Sequence, residues 1–102
     1  MIIKYSANAE SHLNEIYQYI LVKLVNEFAA VNTLTKILHK IQLLEQFPEI
    51  GAPLGDIDAR FADFRFLVAG NYLVIYRIYA DYVQIADIIY GKSDYLRFLK
   101  IS

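Results

Sequence analysis

Arg77 is the residue in this sequence whose placement most demands a chemical explanation. It follows Tyr72-Leu73-Val74-Ile75-Tyr76, five apolar or aromatic residues in a segment rich in β-branched and aromatic side chains. A guanidinium in such a strand needs either water or a partner, because an unpaired buried charge is prohibitively costly. Two arrangements are open. Arg77 faces a solvent-filled concavity and offers its rigid fork of donors to a phosphate or carboxylate. Alternatively it forms a structural ion pair with a buried carboxylate such as Asp87. Arg65, between Phe64 and Phe66, is placed similarly. Beside Arg77 it would complete a small anion site, rimmed by Arg60, Lys92 and Arg97. Such a cluster could stabilise charge on the phosphoryl oxygens of an RNA phosphodiester undergoing scission. A base and an acid would still be required, and Tyr90, Tyr76, Asp87 and Asp94 are the groups at hand. An ordinary Tyr titrates near ~10 and makes a poor base.

The remaining polar residues say less. His12 and His39 are 27 positions apart, neither has a partner at ligand spacing, and both read as surface or boundary residues. No metal site is expected. Asp56 and Asp58 share a loop and point to solvent by default. Tyr72, Tyr76, Tyr79, Tyr82, Tyr90 and Tyr95 crowd the second half of the chain. They suit base stacking, packing beneath a helical layer, or contact with a partner peptide.

The elements that must position these groups follow from periodicity. Met1–Tyr5 reads as a short strand, and Ser6 as the cap of a helix from Ala7 to about Leu24. Ala9, Leu13, Ile16, Tyr17, Ile20, Leu21 and Leu24 form its apolar face. Asn26 caps a second helix, Glu27 to about Gln46, with a stripe of Ala30, Leu34, Ile37, Leu38, Ile41 and Leu44. Phe47-Pro48 stops it, since the residue before proline is driven out of the α region. The short link makes the two helices an antiparallel hairpin. Pro48–Ala59, with two Pro and two Gly, is a loop. Three strands follow, about Asp63–Val68, Tyr72–Tyr79 and Tyr82–Ile89, broken at Gly70-Asn71 and Ala80-Asp81. Ser93 caps a short last helix, Asp94–Leu99. The expected fold class is α+β: an N-terminal strand, an antiparallel helical hairpin packed on a curved antiparallel sheet, and a C-terminal helix. One sheet face is packed and the other is a working face.

Composition narrows the function. The 102 residues are enough for one domain spanning 1–102, and 57% are hydrophobic against the usual ~45–50%. Net charge is -1, which argues against simple electrostatic binding to a long nucleic-acid backbone. Charge is nevertheless uneven. Residues 1–59 hold four Lys, no Arg and seven acids, whereas residues 60–102 hold four Arg, two Lys and four Asp. The absence of Cys excludes disulfides and thiolate metal sites. No apolar run approaches ~18 residues, so no membrane span and a cytoplasmic location are expected.

The ordered features resemble the RelE/ParE family of toxins from bacterial type II toxin–antitoxin systems. The resemblance rests on Ser6-Ala7-Asn8-Ala9-Glu10-Ser11-His12-Leu13 at the first helix and on Leu44-Glu45-Gln46-Phe47-Pro48-Glu49-Ile50-Gly51 after the second. Phe64-Arg65-Phe66-Leu67-Val68, Tyr72-Leu73-Val74-Ile75-Tyr76-Arg77-Ile78 and the ending Ile85-Ala86-Asp87-Ile88-Ile89-Tyr90-Gly91-Lys92-Ser93-Asp94-Tyr95 complete it. It covers nearly the whole chain and looks closer to the ParE side.

The resemblance implies a plasmid-stabilisation-like toxin that inhibits growth and is neutralised by a cognate antitoxin, alone as a homodimer or with it as a heterotetramer. It implies DNA gyrase as target, or alternatively ribosome-dependent mRNA cleavage, and no cofactor. On the cleavage alternative Arg65, Arg77 and Tyr90 would be catalytic. Arg60, Lys92, Asp94 and Arg97 would bind the target, and Tyr76, Tyr79, Tyr95 and Phe98 the antitoxin. The chain departs from the family pattern where Tyr90 stands at a position commonly His, where Asp87 stands at a commonly basic one, and in its net charge. Those departures weigh against ribonuclease activity. A third alternative is a non-toxic, degenerate binding module that keeps the fold.

Overall fold

A computed structural model describes residues 1–23 and 25–91. Strand β1 (Ile2–Tyr5) leads into helix α1 (Ala7–Gln18), a π-helical turn (Tyr19–Lys23) and helix α2 (Glu27–Leu43). Short strand β2 (Ala52–Pro53) and two 3-10 turns (Leu54–Asp56 and Ala59–Phe61) precede the meander β3 (Phe64–Ala69), β4 (Tyr72–Ile78) and β5 (Tyr82–Tyr90). The five strands form one sheet in the order β1-β5-β4-β3-β2. The meander is antiparallel, as its turn residues predict, while β1 joins β5 in parallel. The helical hairpin and strands β2, β3 and β4 all intervene between β1 and β5, which supplies the long connection a parallel pair needs.

Both predicted caps are present. Ser6 Oγ accepts from Ala9 N at 3.0 Å, and Asn26 Oδ1 accepts from Ala29 N at 2.9 Å. Each satisfies a backbone donor that the first helical turn leaves open. The joint between the helices differs from expectation. The α-helical pattern stops at Gln18 and the chain unwinds through the π turn. Val25 then sits at φ +46, a left-handed conformation that is strained for a β-branched residue.

The hairpin covers one face of the sheet. Ala9, Ile37, Ile41 and Leu44 pack against Leu67, Val74, Tyr76, Val83, Ile85 and Ile88. Alternation along β4 sends Val74 and Tyr76 to that face and Leu73, Ile75 and Arg77 to the other. The second face is not bare. The segment expected to be plain loop folds back, with Leu54 and Phe61 buried against Ile75 and Ile89, beside Phe64, Phe66 and Leu73. The apolar residues of 54–61 lack a strand or helix period, so periodicity alone could not reveal this second core. The predicted helix Asp94–Leu99 lies outside the described residues.

Candidate functional site

The two arginines separate. In the register of β3 with β4, Phe64 lies opposite Arg77 and Arg65 opposite Tyr76. Consecutive side chains alternate faces, so Arg65 falls on the hairpin side and Arg77 on the other. Arg65 Nη1 donates to the carbonyl oxygens of Gly51 at 2.8 Å and Glu49 at 3.2 Å. It clamps the chain leaving α2 and does not join an anion site. The expected Arg65–Arg77 pair is thereby corrected: the period of two places diagonal neighbours on opposite faces.

Tyr76 is corrected as well. It was expected to contact a partner, but it is fully buried. Its hydroxyl donates to Pro48 O at 2.7 Å and accepts from Gly51 N at 2.9 Å. Burial raises its pKa, opposed in part by the Gly51 N–H and by Arg65. A Cβ on Gly51 would meet the Tyr76 hydroxyl at 2.5 Å and Phe66 O at 2.8 Å, so the close approach requires glycine there.

Tyr90 ends β5 and is 55% exposed. Its ring meets Tyr72 edge-on at 5.3 Å, and Tyr72 packs on the hairpin-side core. Burial raises the Tyr72 pKa, helped by Tyr90 and Tyr19. Tyr90 pairs with Tyr72 in the ladder and Arg77 with Gln84, five residues further along β4. That spacing is roughly 17 Å at ~3.4 Å per residue. Arg65, Arg77 and Tyr90 therefore do not converge on one reacting atom.

Asp87 is buried, but Arg77 is not its partner. His12 Nδ1 lies 2.5 Å from Asp87 Oδ1, which also accepts from Ile88 N at 2.8 Å. The register explains this contact. Ile75 pairs with Asp87 and Tyr76 with Ile85, which leaves Ala86 as an extra residue. Alternation from Val83 and Ile85 puts Asp87 on the hairpin face, toward α1, and the bulge lets Ile88 follow it onto the same face. Ser6 Oγ donates to Ala86 O at 2.7 Å and fastens the helix start to the same bulge. Alternation places Asp87 with Val83 and Ile85 on the helix-covered face, and a lone acid in an apolar strand signals that a partner must exist there; which helix residue supplies it depends on how α1 lies across β5.

The open face carries a different arrangement. The Arg77 guanidinium lies 5.7 Å from the Phe64 ring and 5.1 Å from that of Tyr79. Tyr79 stacks on Tyr82 at 4.6 Å with the planes 10° apart, and Lys4 Nζ sits 4.3 Å from the Tyr82 ring. Phe64 meets Phe61 edge-on at 6.0 Å, and Arg60 lies 5.7 Å from Phe61. Cations and paired rings thus alternate across the sheet from β1 to the 3-10 turn before β3. Each cation lies against a ring, whose negative face attracts it. Arg77 makes a long 3.4 Å contact to exposed Asp63. Arg60 is engaged more closely: Asp58 accepts from its Nη2 at 2.7 Å and also caps the turn through Arg60 N. That pairing lowers the Asp58 pKa and raises that of Arg60.

The predicted positions Lys92, Asp94, Tyr95, Arg97 and Phe98 lie outside the described residues. Among the described residues no group of three or more His, Asp or Glu could hold a metal ion, and no helix is long and apolar enough to cross a membrane.

A strand, a helical hairpin and a meander in this order define a small α+β domain built like the toxins of toxin–antitoxin modules. Residues 3–95 match the family model described as ParE toxin of type II toxin-antitoxin system, parDE. The chain belongs to that family and is the toxin component of a ParDE-like module, inhibiting growth through a cellular target. Its module supplies a cognate antitoxin as partner. A solved chain titled "Chromosomal ParDE TA system from P. aeruginosa" is similar in fold, with a TM-score of 0.75 and 21% identity over 90% of this chain and 97% of that one. A comparison with curated proteins finds no match.

Proposed function

We propose that this toxin arrests growth by docking on a protein target of the DNA gyrase type, and that it does not cut RNA. The observation that carries the proposal is the dispersal of Arg65, Arg77 and Tyr90 over two faces and both ends of the sheet. Phosphodiester scission needs charge stabilisation and proton transfer at one place, within hydrogen-bond reach of the reacting atoms. Arg65 spends its donors on backbone carbonyls, and Tyr90 lies on the side away from Arg77.

The antitoxin would use the open-face ladder of Lys4, Tyr82, Tyr79 and Arg77. An extended segment with acidic and apolar side chains complements alternating cations and rings, and burying them offsets the cost of ordering it.

The test is expression of the toxin in growing cells, and addition of purified protein to a gyrase supercoiling reaction, with mRNA integrity followed in parallel. Inhibited supercoiling with intact mRNA is expected. Codon-linked mRNA cleavage that disappears in Arg77→Ala would overturn the proposal in favour of a ribonuclease. Normal growth with well-expressed soluble protein would leave a non-toxic binding module.

A further inference from the structure

The second half of helix α2 and the turn between β3 and β4 enclose an open groove of about 630 Å³. That volume falls within the ~300–1,000 Å³ of small-molecule sites. Its lining is sorted along the helix. Lys36, His39 and Lys40 come first, three and four residues apart and so on one helical face. Gln42 and Gln46, about one turn apart, follow. Leu43 and Ala69 supply apolar wall. Gly70 lines the groove from the strand side, with open space where a Cβ would stand, so a ligand can approach its backbone closely.

Among the described residues Lys36, His39 and Lys40 form no ion pair, and the side-chain amides of Gln42 and Gln46 make no hydrogen bond. Compensation of the helix dipole accounts for Lys40, in the last turn, but that effect fades within a turn and leaves Lys36 without a role. The one acid on the lining, Glu45, acts toward Tyr5, whose pKa rises through burial and secondarily through this carboxylate. We infer that the groove binds a free nucleoside diphosphate, with its phosphates at Lys36 and Lys40 and its base at Gln42 and Gln46. The two lysines, one turn and ~6 Å apart at Cβ, place two mobile point charges across adjacent phosphates. Each glutamine amide offers both a donor and an acceptor to a base edge. Leu43 and Ala69 give the sugar and ring an apolar surface. From Lys36 to Leu43 the helix advances only about 10 Å at ~1.5 Å per residue, room for one nucleotide. The net charge of -1 disfavours a polynucleotide in its place. Ala69 belongs to the helix-covered core, so the groove lies apart from the open-face ladder and the inference does not depend on the proposed target.

Calorimetric titration of ADP and of inorganic pyrophosphate into the purified chain tests it, with backbone amide NMR shifts reporting the place of binding. ADP should shift the amides of Leu43 and Gly70 and leave that of Tyr79 unmoved. Lys36→Gln combined with Lys40→Gln should weaken ADP at least about tenfold, because charge-assisted bonds to the phosphates are lost. ADP should bind about tenfold more tightly than pyrophosphate, and Gln42→Ala combined with Gln46→Ala should erase that difference by removing the hydrogen bonds to the base. All four side chains are exposed, so circular dichroism should report an unchanged fold. Absence of heat and of shifts at millimolar ADP would overturn the inference. Pyrophosphate binding as tightly as ADP would reduce the site to bare surface charge and overturn it too. So would a short single-stranded RNA that binds more tightly than ADP, or ADP affinity indifferent to the paired lysine substitutions.

Discussion

Arg65 and Arg77 are the same residue type, on adjacent strands, one register step apart, and they do opposite things. Arg65 turns toward the hairpin and closes on the carbonyls of Glu49 and Gly51. Arg77 turns away and lies half-exposed between the rings of Phe64 and Tyr79. The difference extends to the faces that carry them. The hairpin face is a packed core in which the polar atoms of Tyr76, Asp87 and Ser6 are tied to backbone or to His12. The open face has a smaller core under Leu54 and Phe61, and beside it a ladder of cations and rings that can meet a partner. Charge on the first face stabilises the fold, whereas on the second we propose that it serves recognition.

The contrast is broken most severely at Tyr76. Tyr76→Ala removes a fully buried ring and leaves Pro48 O and Gly51 N without their partner. It should destabilise the protein by about 3–5 kcal/mol, read from chemical denaturation. Arg65→Ala should cost about 1.5–3 kcal/mol, because hydrogen bonds from a charged donor to two carbonyls are lost. If it leaves stability unchanged, the clamp is not holding the chain after α2.

Alkaline pH gives a smaller, signed test. Burial raises the pKa of Tyr5, Tyr72 and Tyr76, with Glu45 adding to the effect at Tyr5. A raised folded-state value means that the native protein holds these protons more tightly than the unfolded chain. Stability from this source is complete below the unfolded value near ~10 and is lost as pH climbs through the folded values. The melting temperature should therefore fall above about pH 10, and less steeply in Tyr76→Phe once its lower starting stability is subtracted. The smallest effect is expected at Arg77. Arg77→Ala should change stability by less than about 1 kcal/mol, since its ion pair is long and exposed.

Much of this contrast was legible beforehand. The helices, their caps at Ser6 and Asn26, the meander and the two-sided character of β4 all follow from local patterns that read alike in sequence and in space. Three features were not legible. The bulge at Ala86 depends on pairing across strands, and with it the placement of both Asp87 and Ile88 on the hairpin face. The packing of Leu54 and Phe61 comes from a segment with no period. Tyr76 looked available because an aromatic residue in a strand reads the same whether it is core or contact surface. Only its partners at Pro48 and Gly51 distinguish the two.

The comparison is tested most directly by antitoxin affinity. Calorimetric titration of the cognate antitoxin into Arg77→Ala and Arg65→Ala, at a temperature where both are folded, separates recognition from stability. Arg77→Ala should bind at least about tenfold more weakly, in line with loss of a recognition cation, while Arg65→Ala binds like the parent. Full affinity in Arg77→Ala with weakened binding in Arg65→Ala would contradict the account and place recognition on the hairpin face.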